Sequence, residues 1–109
     1  MLLLSGCGQA VPAERAAYVG DWRSSGGAWQ GQGDGMRLQI AADGRVEYQR
    51  REGKQLTTIS APLQGFSGNG FEVGIWGWTT TFVVSEAPHR VGPHWTMVVD
   101  GMRLDRAAE

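Results

Sequence analysis

The chain has a single cysteine, Cys7, so no disulfide can form within it and the core must hold by packing alone. It contains no run of about 20 apolar residues, the length a spanning helix needs. It also lacks an excess of either charge. Ten Lys and Arg stand against eleven Asp and Glu, for a net charge of −1 with the signs interspersed. That leaves no basic field for DNA or RNA, whose binding rests on neutralising phosphates. Histidine is scarce too. His89 and His94 lie five apart in Pro88-His89-Arg90-Val91-Gly92-Pro93-His94-Trp95, which is not a familiar zinc spacing, and there is no second cysteine beside them. Neither a metal nor a cofactor is expected.

Catalytic patterns are equally sparse. Asp34, Asp43, Glu47, Glu72, Glu86 and Asp100 supply carboxylates, but a hydrolase needs two of them converging as acid and base. Asp43 and Asp100 each precede a glycine and read as turn residues, while Glu47 and Glu72 alternate with apolar neighbours and should face solvent. Ser24, Ser25 and Ser67 have no nucleophile-elbow context. Gly31-Gln32-Gly33-Asp34-Gly35 has the glycines of a phosphate loop but not its lysine, its preceding strand or its following helix. The expectation is a protein that is not an enzyme. A histidine and two carboxylates meeting in a cleft would revive the hydrolase reading.

What the chain has in abundance is glycine and large aromatics. Seventeen glycines favour turns and bulges over helices. Five Trp, three Phe and two Tyr supply the apolar area that a small domain needs to close. The length suits one domain. Ala13 to Tyr18 follows Pro12, is rich in alanine and predicts a short helical turn. From Gly20 the pattern becomes β. Met36 to Ile40 and Arg45 to Gln49 alternate apolar and polar residues around Ala42-Asp43-Gly44, a hairpin signal. Further strands are predicted at Trp22, Leu56–Ala61 (with Pro62 marking its end or an edge), Phe71–Ile75, Thr79–Ser85, Trp95–Val99 and Met102–Leu104, with loops at Gly26–Gly35 and Glu86–Pro93. The fold class is therefore all-β: a small antiparallel meander or barrel-like domain of about seven or eight short strands, preceded by a short helix.

Two resemblances add to this. Leu4-Ser5-Gly6-Cys7 resembles the lipobox of bacterial lipoproteins, in which an apolar signal ends in small residues before a cysteine that receives the lipid. The resemblance implies three parts: residues 1–6 as the remnant of a longer signal peptide, residues 7–12 as a lipid-anchored tether, and residues 13–109 as the β-rich domain. It implies acylation of Cys7, with the membrane lipid as its first partner. Because Gly8 stands where an Asp would favour retention in the inner membrane, it also implies a periplasm-facing place on the outer membrane. Tyr18-Val19-Gly20-Asp21-Trp22 is similar to the Gly-x-Trp that opens the first strand of lipocalins, whose tryptophan packs across the closed end of the barrel. Strands this short imply an interior filled by side chains, the tryptophans among them.

The candidate ligand site is aromatic. In an extended segment Trp76-Gly77-Trp78 would set two indoles on one face, a platform for a sugar, a lipid tail or an aromatic partner. Trp29 is placed beside it, and the Glu86–His94 segment, with His94 foremost, forms the rim. The expected function is a non-enzymatic envelope lipoprotein that binds an envelope protein, an apolar ligand or a glycan. The alternative is an assembly subunit that docks on an envelope complex through a strand edge.

Overall fold

The computed structural model of the protein describes residues 10–24, 35–75 and 77–106. The expectations placed on Met1 to Gly6, Cys7, the first residues of the tether, the Gly26–Gly35 loop, Trp29 and Trp76 fall wholly or mainly outside them.

A 3₁₀ helix at Ala13–Tyr18 precedes nine strands: β1 Gly20–Ser24, β2 Gly35–Ile40, β3 Arg45–Glu52, β4 Gln55–Ser67, β5 Gly70–Ile75, β6 Trp78–Phe82, β7 Val84–Val91, β8 His94–Val99 and β9 Met102–Arg106. They form one curled antiparallel half-barrel in the order β6-β5-β4-β3-β2-β1-β9-β8-β7. Every pairing except β1 with β9 joins consecutive strands, so the sheet is a meander whose first and last strands meet. The two edge strands, β6 and β7, are also consecutive in the chain and are separated only by Val83. Asp100 fixes that corner. Its Oδ1 accepts the N–H of Val83 at 2.9 Å, and its own N–H donates to the Val83 carbonyl at 2.7 Å.

The curl originates in β4. Residues 55–62 pair with β3, whereas residues 63–67 pair with β5 on the other side, with a break in register between Leu63 and Gly65. This change of partner swings the β5–β6 hairpin across the concave face. Phe82 meets the Tyr48 ring of β3 edge-on at 5.0 Å and stacks on Phe71 at 5.0 Å. The inward positions of the remaining strands fill the space beneath, and Trp22, Met36, Leu38, Val46, Leu63, Met97 and Leu104 are all buried. The 3₁₀ helix closes one end. The Trp22 Nε1–H donates to the Tyr18 carbonyl at 2.9 Å, and the Tyr18 hydroxyl donates to the Asn69 carbonyl at 2.7 Å. Outside Trp22, the Arg106 guanidinium lies 5.8 Å from that indole and 4.8 Å from Trp95, within cation–π reach of both. Gly20 permits this approach, since a Cβ there would stand 2.6 Å from Arg106 Cδ.

The all-β class holds, and four details differ from expectation. First, β4 continues through Pro62, which marks an open edge of the sheet and not the end of the strand. The N–H and C=O of Arg45, opposite Pro62, are used on the β2 side, the first by Asp43 Oδ1 at 3.0 Å and the second by the Ala41 N–H at 2.9 Å. The Pro62 nitrogen therefore points away from β3, and no ladder bond is lost. Second, the loop expected at Glu86–Pro93 is mostly β7, an edge strand that accommodates Pro88 through two register breaks. Third, the chain between β5 and β6 turns at Gly77. Ile75 pairs with Trp78, and Gly77 has φ +83°. Fourth, of the described tryptophans only Trp22 is fully buried, and phenylalanine, leucine and methionine fill the interior instead.

Candidate functional site

The pairing register lines up two outward rows of polar side chains across β1 to β4. One row runs Asp21, Gln39, Glu47, Ser60, and the next runs Arg23, Arg37, Gln49, Thr58. Their sequence neighbours Trp22, Leu38 and Tyr48 point into the core, so alternation forces these rows to the outside. Between the rows and the end of the sheet lies a groove of about 320 Å³, lined by Gly20, Asp21, Gln39, Ile40, Arg45 and Glu47 among others. A smaller depression of about 40 Å³ continues from it past Gln39 and Glu47 to Gln49, Thr58 and Ser60.

Asp21 anchors one wall. Its carboxylate takes Arg37 in a two-pronged grip, with Nε to Oδ1 at 3.2 Å and Nη2 to Oδ2 at 3.2 Å, and takes Arg23 Nη2 on Oδ2 at 2.9 Å. Partial burial alone would push this carboxyl up, but the hydrogen bonds and charges of Arg23 and Arg37 outweigh it and hold Asp21 below the ordinary carboxylate value. A carboxyl held ionised this way is in the wrong state for a general acid. It can serve as a fixed acceptor. Gln39 and Glu47 sit next in the row and, among the described residues, carry no side-chain hydrogen bond. The groove thus offers an unused amide and an unused carboxylate beside a pinned ion pair. That set of donors and acceptors suits hydroxyl groups.

The Asp21 arrangement has a pH signature. Because its folded pKa is depressed, the stability it contributes is present above the ordinary carboxylate range and disappears as pH falls through the folded value. The difference in melting temperature between wild type and Asp21→Asn is therefore expected at neutral pH and should close below about pH 4. A gap that stays constant from neutral pH to about pH 2.5 would show that the charge is not what Asp21 contributes.

Of the candidate ligand residues singled out from sequence, the described ones, Trp78 and His94, stand on strands that are not neighbours. Trp78 stands 47% exposed on edge strand β6, opposite Ile75 at 39%, as an apolar pair at a hairpin tip. His94 is exposed on β8, opposite Val91, and β8 adjoins neither β6 nor β5 in the sheet. Trp29 and Trp76 lie outside the described residues, and Gly77, between the two indoles of the expected platform, has φ +83°. Glu86, expected at the rim, is held on the sheet surface by Arg103, whose Nη2 lies 3.1 and 3.0 Å from its two carboxylate oxygens. Sequence reasoning placed Glu47 outward but missed the groove. Its signal was the polar half of the alternation in β1 to β3, which becomes a site only once the register sets Asp21, Gln39 and Glu47 side by side.

No family model matches the chain, and neither a curated protein nor a solved structure matches it.

Proposed function

We propose that this protein is a small envelope lipoprotein, anchored by lipid on Cys7 to the periplasmic side of the outer membrane. Its β-domain is a non-catalytic module that binds a hydroxyl-rich ligand, a cell-wall glycan, in the groove over β1 to β3. The resemblance of Leu4-Ser5-Gly6-Cys7 to a lipobox supports the anchor. One observation supports the binding mode. The concave interior is occupied by Trp22, Phe71, Phe82 and their neighbours at 0–1% exposure, whereas the groove outside presents Gln39 and Glu47 without side-chain partners among the described residues. A domain packed this way takes its ligand on the surface. Gln39 and Glu47 are the groups that would meet a ligand's hydroxyls there.

The test is co-sedimentation of the Cys7→Ser chain with purified peptidoglycan sacculi, followed by titration with a soluble N-acetylglucosamine oligomer. Gln39→Ala and Glu47→Ala each remove hydrogen-bonding groups and are expected to weaken capture about tenfold with the fold unchanged. Trp78→Ala should leave capture unaltered. Loss of binding on Trp78→Ala alone would return the site to the exposed indole, and absence of capture by either probe would overturn the glycan reading.

A further inference from the structure

The half-barrel leaves three stretches of strand edge unpaired among the described residues, and they are not alike. β6 is only five residues long. β7 is interrupted by two register breaks and Pro88, and carries Glu86 and Arg90. Short length, bulges, proline and charge are the devices by which natural sheets discourage edge pairing. The third edge has none of them. Residues 55–61 of β4 pair with β3 on one side in an unbroken register and with no described strand on the other. Gln55-Leu56-Thr57-Thr58-Ile59-Ser60-Ala61 is uncharged and rich in β-formers, and Gln55 to Thr58 are exposed, Leu56 at 51%.

Which backbone groups are unpaired follows from the same parity that admits Pro62. Arg45 uses its N–H and C=O away from β4, so Val46, Tyr48 and Arg50 point toward it and bond Ala61, Ile59 and Thr57. Leu56, Thr58 and Ser60 therefore aim their N–H and C=O groups at the open side. Among the described residues these groups have no other partner.

The geometry points to a second copy of this chain as the occupant, paired antiparallel, β4 to β4, about a two-fold axis through Thr58. That register sets Thr58 opposite Thr58, Leu56 opposite Ser60 and Thr57 opposite Ile59. Outward-aimed backbone meets outward-aimed backbone, and the face alternation is kept across the axis, as an isologous strand pair requires. Two further features fit this occupant. The segment carries no charge that would oppose its own copy. The row holding Glu47 and Ser60 in one copy continues into Leu56 and Arg51 of the other, so opposite charges lie at its two ends. The ladder has a natural end, since Lys54 would face Pro62, which has no N–H to give. The outward rows of the two copies then form one continuous polar surface. The dimer is argued from the edge alone and stands or fails apart from the glycan reading.

The experiment uses the full chain with Cys7→Ser, so that an introduced cysteine is the sole thiol. Sedimentation velocity over a concentration series is expected to show a monomer–dimer equilibrium. Thr58→Cys should form a disulfide-linked dimer on mild oxidation, because opposed residues of a hydrogen-bonded antiparallel pair lie about 5.5 Å apart, within disulfide reach. Ser60→Cys should not, because its two copies would stand four residues apart along the strands, about 13 Å. Thr58→Lys, which sets like charges on the axis at an exposed site, should weaken the dimer roughly two- to fivefold with an unchanged circular dichroism spectrum. A monomer at every concentration overturns the proposal. So does equal cross-linking at both cysteine positions, or a dimer indifferent to Thr58→Lys.

Discussion

Trp22→Ala is expected to cost about 3–5 kcal/mol, the largest loss from any single side chain in the domain. A domain of this size has about 5–15 kcal/mol in all, so the variant should be partly unfolded at 37 °C. Three contributions add up here. Trp22 is the largest of the fully buried side chains, at 0% exposure, so truncation leaves a cavity beneath the 3₁₀ helix. The Tyr18 carbonyl loses the indole N–H that it accepts at 2.9 Å, and with it the tie between that helix and β1. Arg106 loses one of the two rings it covers and keeps only Trp95. Urea unfolding should show a lower midpoint with an unchanged slope, since the same surface is exposed on unfolding. Trp22→Phe separates the terms. It restores most of the volume but not the N–H donor, so it should fall between wild type and Trp22→Ala. If Trp22→Phe were as stable as wild type, the hydrogen bond to Tyr18 would be contributing nothing.

That position also marks how far the sequence could be read. Alternation at Met36–Ile40 and Arg45–Gln49 around Asp43-Gly44 announced the β2–β3 hairpin, because local period and turn chemistry agree there. β7 was hidden because proline and a charged pair in Glu86-Ala87-Pro88-His89-Arg90 read locally as loop. Only its place at the sheet edge, with two bulges, makes it a strand. The bend in β4 was hidden for a related reason, since a strand that changes partner midway leaves no mark in its own periodicity. The groove depends on that kind of non-local information. Asp21, Gln39 and Glu47 lie on three different strands, and pairing register rather than spacing in the chain makes them neighbours. The aromatic pair poses a different local problem. Two indoles one residue apart share a face only in an extended segment, whereas Ile75 pairs with Trp78 and Gly77 between them has a positive φ, which suits a hairpin turn.

Cys7→Ser, in the protein expressed from its own locus, is expected to move essentially all of the chain from the membrane pellet to the soluble fraction. Among the described residues no helix is long and apolar enough to cross a membrane, so in this proposal the lipid on Cys7 is the anchor. Each buried CH₂ contributes about 0.8 kcal/mol, and one acyl chain holds only marginally, whereas two or more hold stably. A diacylglyceryl thioether supplies two through the sulfur, so removing that atom removes both at once. Serine is close to cysteine in size but cannot substitute chemically, because its hydroxyl does not reach the nucleophilic anionic form that a thiol does near neutral pH. Wild type should therefore resist washing with high salt and leave the pellet only in detergent, and it should incorporate a palmitate label that the variant does not. The β-domain should be unaffected, since among the described residues the core is built from Val11 onward. The released Cys7→Ser protein is then expected to melt at the temperature of detergent-extracted wild type. If the variant instead stayed in the pellet through salt and carbonate washing while taking up no palmitate, the lipid on Cys7 would not be what holds the protein at the membrane.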